Sequence, residues 1–125
     1  MEAKKRVLVV DDEPGILRFV GINLRLAGYE VATTTSGEEA LKLVQSLKPD
    51  VMLLDILMQP VSGFEVLEHL RVFSQLPVIV FTARSEVAEE AVKRGATSYL
   101  AKPFIPEDLL QKIQDVLNTS DCAPA

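Results

Sequence analysis

The sequence predicts a three-layer α/β fold in which five parallel strands form a (βα)5 doubly wound sheet between two layers of helices. Three observations indicate this fold. Five short apolar runs recur along the 125 residues, and segments with helical spacing of apolar side chains separate them. Capping residues and prolines mark the starts of those segments, and glycines mark two of their ends. Such alternation is typical of a parallel sheet with helices on both faces.

The apolar runs predict the strands. The first, third and fourth are nearly continuous in Val, Leu, Ile, Met and Phe, which is typical of parallel strands that are buried on both faces. The second and fifth are more mixed, so we expect them to flank the sheet. The predicted strands are Arg6–Val10, Glu30–Thr33, Val51–Leu54, Pro77–Phe81 and Ser98–Ala101.

Boundary signals support the helices between these strands. Proline is tolerated at a first helical position, where its missing N–H would have no partner. A Ser followed three residues later by Glu forms a capping box, and a left-handed glycine ends a helix. These signals are Pro14 and Pro106, the pair Ser36 and Glu39, and Gly28 and Gly95. In the first helix, Ile16, Val20, Leu24 and Ala27 are expected to face the core.

The topology and the domain limits follow from chain connectivity and length. Crossovers between neighbouring parallel strands are right-handed, and we expect the flavodoxin-like strand order 2-1-3-4-5. Residues 1–118 are predicted to form one domain, because domains cluster near about 100–150 residues. Residues 119–125 are predicted to be a polar tail or the start of a linker.

The composition excludes several kinds of protein. Thirteen Lys and Arg against 18 Asp and Glu give a net charge of -5, which argues against an electrostatic nucleic-acid binder. His69 is the one His and Cys122 the one Cys, so an internal disulfide and a Cys/His zinc site are excluded. No apolar run approaches the roughly 20 residues of a membrane-spanning helix, and no signal peptide is visible. We therefore expect a cytoplasmic protein without membrane contact.

Polar residues follow four of the predicted strands at their carboxyl ends. Asp11 and Asp12 follow the first strand, Asp55 the third, Thr82 the fourth and Lys102 the fifth. Because ligands bind at this edge of an open parallel sheet, we expect the five side chains to converge. Each has an ordinary explanation by itself, such as acids at a helix N-terminus or a surface lysine. Asp55 is harder to explain, because a carboxylate within an apolar run is costly unless it is paired.

This set of side chains suits a phosphoryl group. Three carboxylates that face one another repel unless a cation intervenes, and Mg²⁺ prefers oxygen ligands. An ammonium and a hydroxyl can then pair with phosphoryl oxygens. Because the chain has no Gly-rich loop to cradle a nucleotide, we expect Asp55 itself to receive the phosphoryl group as an aspartyl phosphate.

The segments VVDDE, LLDILMQPVSG, VIVFTARS and YLAKPF resemble the four signature regions of receiver domains of two-component response regulators, and the resemblance covers about residues 5–117. It implies a signalling domain rather than an enzyme, with Asp55 as phosphoacceptor and Mg²⁺, or Mn²⁺ in its place, as cofactor. The implied metal ligands are Asp12, Asp55, the backbone carbonyl of Leu57, and Asp11 through a bound water. Thr82 and Lys102 would contact the phosphoryl oxygens, and Tyr99 would be the switching aromatic.

The resemblance also implies partners. A histidine kinase or histidine phosphotransfer protein would dock on the first helix and the loop after the fifth strand. The candidate docking residues are Gly15, Arg18, Phe19, Ile22, Pro103 and Phe104. The phosphorylated state would control an output domain or a downstream protein, including through a phosphorylation-linked homodimer, as in the N-terminal part of a transcriptional regulator. Many winged-helix regulators carry two Asp at the positions of Thr97 and Ser98. This departure weakens the expectation that the chain dimerises in the same way as those regulators.

Three departures from the family pattern concern mechanism. Gln59 stands where Pro is usual, with Pro60 one place later, so the loop is expected to bend differently. Leu57 and Arg84 flank the route of attacking water, which predicts slow hydrolysis of the phosphoryl group. The interval over residues 82–102 is shorter than usual, which predicts a truncated or shifted fourth helix.

Two functions of other classes stay open at this level. A hydrolase or phosphotransferase of the haloacid dehalogenase kind would also use an aspartyl nucleophile. Such enzymes usually carry a second Asp where this chain has Leu57, and 125 residues leave no length for a substrate cap. A binding module that has lost phosphorylation would keep the fold, but the intact acidic pair, Asp55, Thr82 and Lys102 argue against it. Labelling by acetyl phosphate or berylliofluoride with Mg²⁺ separates the three functions.

Overall fold

The computed structural model describes residues 4–58 and 61–121, with side chains up to residue 118. The strands are β1 (Arg6–Val10), β2 (Glu30–Thr34), β3 (Val51–Asp55), β4 (Val78–Thr82) and β5 (Ser98–Ala101). The helices are α1 (Pro14–Leu26), α2 (Gly37–Leu47), α3 (Gly63–Phe73), α4 (Ser85–Lys93) and α5 (Pro106–Asp121). All pairings are parallel, and the strand order β2-β1-β3-β4-β5 confirms the predicted topology.

Helices cover both faces of the sheet. Every residue of β3 and β4 is buried, and so is every residue of β1 after Arg6, whereas β2 and β5 are partly exposed. Alternate side chains enter different clusters, as strand geometry requires. Leu8 and Val10 pack with residues of α2, α3 and α4, while Val7 and Val9 pack with residues of α1 and α5. The nearly continuous apolar runs therefore mark strands that are covered on two sides.

The predicted helix boundaries agree with the structure. Pro14 is the first residue of α1, and the Ser36 side chain accepts a hydrogen bond from the Glu39 backbone N–H at 3.1 Å. Gly28 and Gly95 have φ angles of 99° and 117°, a left-handed region in which a side chain would be strained. These residues mark the starts of α1 and α2 and the ends of α1 and α4.

The core-facing residues of α1 differ from the prediction. The buried residues are Leu17, Val20, Gly21 and Leu24, whereas Ile16 is half-buried and Ala27 is exposed. Ala27 lies beyond the last turn, at the C-cap. Val20 and Leu24 are buried as predicted, and Leu17 and Gly21 are buried in place of Ile16 and Ala27. Leu17, Val20 and Leu24 share one core cluster with residues of the sheet and of α5.

The other boundary differences are small. β2, β3 and β4 each end one residue later than predicted, and β4 also begins one residue later. α4 has nine residues and is the shortest of the five helices, as its short interval predicts. α5 continues to Asp121, which is three residues into the segment 119–125 predicted as a tail. The residues Gln59, Pro60 and Cys122 lie outside the described part of the chain. None of the described helices is long and apolar enough to cross a membrane.

Candidate functional site

The fold places the five predicted polar residues at the carboxyl ends of the strands, where Asp55 and Thr82 are the last residues of β3 and β4. β1, β3, β4 and β5 are successive neighbours, so their carboxyl ends share one edge of the sheet. One carboxylate oxygen from each of Asp11, Asp12 and Asp55 lies within 4.8 Å of the others. The Lys102 ammonium nitrogen is 3.2 Å from Asp11 Oδ2 and 3.8 Å from Asp55 Oδ1. Thr82 ends β4, the strand between β3 and β5.

Three of these side chains are held by the same local arrangement. In each, a side-chain oxygen accepts a hydrogen bond from the backbone N–H two residues later, where the chain turns away from the strand. The donors and acceptors are Glu13 N to Asp11 Oδ1 at 2.8 Å, Leu57 N to Asp55 Oδ1 at 3.2 Å, and Arg84 N to Thr82 Oγ1 at 3.2 Å. Each bond fixes a functional oxygen at the end of its own strand.

Glycine permits α3 to begin against this edge. A Cβ at Gly63 would lie 2.5 Å from the carbonyl oxygen of Asp55 and 2.5 Å from the Cα of Ile56. Gly63 N also donates a hydrogen bond to the Ile56 carbonyl at 2.9 Å. Because those neighbours are backbone atoms, a side chain would push the helix away from the end of β3. Gly63 thus sets the path of the chain that follows Asp55.

Burial makes the cluster electrostatically unusual. Asp11 is 0% exposed and Asp55 4% exposed, whereas Asp12 is open to solvent. Burial, and then repulsion from Asp11, raise the pKa of Asp55 from 3.8 to about 6, although Lys102 opposes the shift. Burial also raises the pKa of Asp11. One ammonium facing three carboxylates leaves an excess of negative charge.

The donor set fits a divalent cation. Carboxylate oxygens are the hard ligands that Mg²⁺ prefers, and a cation that keeps several waters suits a cluster with one carboxylate at the surface. Burial is the first cause of the raised pKa of Asp55, repulsion from Asp11 is the second, and the opposing effect of Lys102 is smaller than either. A second positive charge would therefore stabilise the ionised state of these acids.

The remaining predicted residues lie around this edge. The Leu57 side chain is 50% exposed, and the Tyr99 ring, on β5, is 41% exposed. The Arg84 side chain is also exposed and pairs with Glu86 at 3.0 Å. Tyr99 therefore has its ring at the surface rather than packed behind Thr82.

The candidate docking residues lie on α1 and in the segment after β5. Four of them lie on α1 and two follow β5, and the rings of Phe19 and Phe104 bring the two groups together with centroids 6.4 Å apart. Phe19 and Ile22 are 42% and 50% exposed, and Phe104 is partly buried. Gly15, Arg18 and Pro103 are exposed. Phe19 and Ile22 are thus apolar side chains of α1 that solvent reaches in part.

Sequence reasoning missed one residue at the site. Phe81 precedes Thr82 on β4, and its ring lies under the Lys102 ammonium at 4.8 Å. In the sequence it is one more apolar residue of a buried strand. Nothing in a strand pattern tells which charged group a core ring will meet.

Comparison with known proteins gives similarities along almost the whole chain. The family model for the response regulator receiver domain matches residues 7–114. The chain is 39% identical over 125 residues to the probable transcriptional regulator ycf27 of Guillardia theta, with 98% of this chain and 49% of that protein covered. It is 36% identical over 122 residues to the alkaline phosphatase synthesis transcriptional regulatory protein PhoP of Bacillus subtilis, with 95% and 51% covered. The chain spans about half the length of these curated relatives.

Solved structures show the same similarity. The chemotaxis response regulator CheY4 of Vibrio cholerae has a TM-score of 0.85 and 39% sequence identity, covering 91% of this chain and 99% of that chain. NtrX from Brucella abortus has a TM-score of 0.89 and 30% identity, covering 95% of this chain and 28% of that chain. The similarity therefore covers nearly all of one solved chain and a smaller part of another.

Proposed function

Because the chain belongs to the family of response regulator receiver domains of two-component systems, we propose that Asp55 is its phosphoacceptor in a cytoplasmic phosphorelay. One observation carries this assignment. Asp55 is buried at the end of β3, and its carboxylate lies with those of Asp11 and Asp12 and with the Lys102 ammonium. The donor would be a histidine kinase or a histidine phosphotransfer protein. The chain then acts as a signalling domain rather than as an enzyme with a diffusible substrate.

The proposed cofactor is Mg²⁺, with Mn²⁺ as a substitute. The ion would be held directly by Asp12, Asp55 and the backbone carbonyl of Leu57. Asp11 would hold it through a bound water. When bound, the ion supplies positive charge that offsets the carboxylates and the phosphoryl oxygens. Its proposed presence accounts for an acidic cluster that one lysine does not balance.

The residues of the chain have separate roles in the transfer. An ionised Asp55 oxygen forms the new bond to phosphorus as the bond from phosphorus to the donor's histidine nitrogen breaks. A carboxyl with a pKa of about 6 is largely ionised at neutral pH. The Lys102 ammonium pairs with one phosphoryl oxygen. The Thr82 oxygen accepts from Arg84 N, which leaves its hydroxyl proton for a second phosphoryl oxygen.

The switch follows from the same contacts. Movement of Thr82 toward the phosphoryl group leaves space into which Tyr99, now 41% exposed, can turn. The surface of α4, β5 and α5 then changes, and an output domain, a downstream protein or a second phosphorylated copy binds it. A shift from 1:99 to 99:1 requires about 5.5 kcal/mol of preference for the active state. Because the relatives are transcriptional regulators, we propose that the chain is the N-terminal part of one and does not itself bind nucleic acid.

The phosphoryl group should hydrolyse slowly. The half-exposed Leu57 and the exposed Arg84 flank the proposed route of attacking water, and an apolar side chain cannot orient water by hydrogen bonding. Loss of radiolabel from the purified phosphorylated chain gives the half-life. Leu57→Asn should shorten this half-life, because an amide can hold the water. A half-life of seconds in the wild-type chain would contradict the prediction.

Labelling with acetyl phosphate and Mg²⁺ tests the function itself. The wild-type chain should become stably labelled, and Asp55→Ala should not. Asp50→Ala is the matched control, because Asp50 directly precedes β3 at the opposite edge of the sheet and should not affect labelling. Undiminished labelling of Asp55→Ala would overturn the assignment. Multiple turnover of small phosphoesters would favour the hydrolase instead.

Docking on α1 is tested by comparing phosphorylation by the cognate kinase, which must dock, with phosphorylation by acetyl phosphate, which need not. A Phe19→Ser and Ile22→Ser double variant should lose phosphotransfer from the cognate kinase, because both side chains are exposed on the proposed docking surface. Its labelling by acetyl phosphate should stay unchanged. Unchanged transfer from the kinase would contradict the docking proposal while leaving Asp55 as phosphoacceptor.

A further inference from the structure

The Lys102 ammonium lies against an aromatic ring that the transfer mechanism does not use. Its nitrogen is 4.8 Å from the centroid of the Phe81 ring, and it is also 3.2 Å from Asp11 and 3.8 Å from Asp55. Phe81 is 2% exposed, and the Lys102 side chain is 18% exposed. The ammonium is therefore held by the face of a buried ring as well as by the two carboxylates.

The ring of Phe81 is itself fixed by a second ring. Phe104 meets it edge to face, with centroids 6.0 Å apart and an interplanar angle of 89°. This is a favoured arrangement for two aromatic quadrupoles. Phe104 in turn lies 6.4 Å from Phe19 on α1. Because Phe81 also pairs in register with Asp55, its position is set by the strand that carries the acceptor.

We propose that Phe81 is a positioning residue, whose ring face holds the Lys102 ammonium at the level of Asp11 and Asp55 before the phosphoryl group arrives. The inference rests on the proposed function of Asp55. A lysine has a long flexible stem, and holding its end in one place costs conformational entropy. Attraction between a cation and a ring face offsets part of that cost, most strongly where water is excluded. Leu or Met would fill the space without this attraction.

Two substitutions measure the contribution of the ring. Phe81→Leu and Phe81→Met should each lower the rate of labelling by acetyl phosphate about 3- to 10-fold, together with the affinity for berylliofluoride. In a Lys102→Ala background, Phe81→Leu should have no further effect, because Phe81 acts through the ammonium. Phe64→Leu is the matched control. Its ring lies 4.7 Å from the Arg94 guanidinium carbon between α3 and α4, and its loss should leave the rate unchanged.

An isosteric ring separates positioning from packing. Pentafluorophenylalanine introduced at position 81 keeps the shape of the ring but reverses its charge distribution, so it should reproduce the loss of rate. Thermal unfolding of each variant shows whether the fold is retained. If the fluorinated ring gives the wild-type rate, Phe81 only fills space and the proposal is wrong. An equal effect of Phe81→Leu with and without Lys102 would overturn it as well.

A spectroscopic measurement distinguishes this proposal from the proposed function. Protons above a ring are shielded, so the ε-methylene protons of Lys102 should resonate upfield of those of other lysines and should lose that shift in Phe81→Leu. This signature does not depend on phosphorylation. Its absence in the wild-type chain would overturn the Phe81 contact, whereas an unlabelled Asp55 beside an intact signature would overturn the proposed function, and with it the positioning role, while leaving the contact itself in place.

Discussion

The amino ends of the strands form one side of the sheet, here called the amino edge, and their carboxyl ends form the other, the carboxyl edge. The two carry the same kinds of charged residue in opposite settings. At the amino edge, the Arg6 guanidinium pairs with the Glu30 carboxylate at 2.9 Å, and these side chains are 51% and 52% exposed. The Arg6 backbone N–H donates a hydrogen bond to Asp50 Oδ2 at 2.8 Å. At the carboxyl edge, Asp11 and Asp55 are buried. Water screens the charges at the amino edge, so these ion pairs contribute little to stability. At the carboxyl edge, keeping the buried carboxylates ionised costs free energy. Burial, rather than the presence of acids, thus distinguishes the candidate site.

The largest expected difference between the two edges is in how Asp55 affects the pH dependence of the free energy of unfolding. Its raised pKa of about 6, against 3.8 for the ordinary group, means that the folded state binds a proton more tightly than the unfolded state. In the absence of divalent ions, the contribution of Asp55 to stability is therefore largest below about pH 4 and is lost as the pH rises through about 6. The loss amounts to up to about 3 kcal/mol, because one pKa unit corresponds to about 1.4 kcal/mol. Asp55→Asn should remove this loss.

Urea unfolding in EDTA between pH 4 and pH 7.5 measures that effect. We expect Asp55→Asn to be more stable than the wild-type chain at pH 7.5 and to show a flatter pH dependence. Asp12→Asn is the comparison variant, because Asp12 belongs to the same cluster but is exposed, and it should change stability less. An Asp55→Asn chain that is less stable than wild type at pH 7.5 would contradict the proposed cost of burial.

The second expected difference between the two edges is in the stabilisation of the folded chain by Mg²⁺. Because the unfolded chain lacks the cluster, the ion should stabilise the folded wild-type chain by about 2.7 kcal/mol at a free concentration one hundred times its Kd. Thermal unfolding at pH 7.5, with ionic strength held constant, detects this gain. Asp55→Asn should lose most of the response, while Asp50→Asn at the amino edge should keep it. An equal response in the wild-type chain and Asp55→Asn would place the ion elsewhere.

The smallest effect is expected at the amino edge. Glu30→Gln removes an exposed ion pair, and Arg6 keeps a hydrogen bond from its guanidinium to the Leu47 carbonyl at 2.6 Å. The free energy of unfolding should fall by less than about 1 kcal/mol, and labelling by acetyl phosphate should not change. Urea unfolding and the labelling assay check both parts. A clear loss of labelling would show that the two edges are coupled.

Much of the fold and of the cluster could be predicted from the sequence. Strand runs and crossover handedness fix the neighbours of each strand, and the carboxyl ends of neighbouring parallel strands must meet. Asp11, Asp55, Thr82 and Lys102 could therefore be placed together without any measured distance. The motif resemblance assigned their proposed roles, which geometry alone does not provide.

Other features depend on packing between distant segments. Leu17 and Gly21 are buried on α1 in addition to the predicted Val20 and Leu24, and α1 shares its core cluster with α5. The periodicity of one helix contains no information about such a neighbour. The ring of Phe81 lies under Lys102 because β4 and β5 are adjacent and Phe104 fills the space beside them. Burial of Asp55, which raises its pKa, likewise results from the whole sheet edge. Local sequence patterns predict elements, but they do not predict such contacts.

Chemical trapping of the phosphorylated residue tests the central claim most directly. Borohydride converts an aspartyl phosphate to homoserine, which peptide mass spectrometry locates in the chain. After incubation with acetyl phosphate and Mg²⁺, we predict homoserine at position 55 and at none of the other aspartates. Homoserine at position 11 or 12 instead, or none at position 55 in a chain that carries the label, would contradict the assignment of Asp55 as the phosphoacceptor.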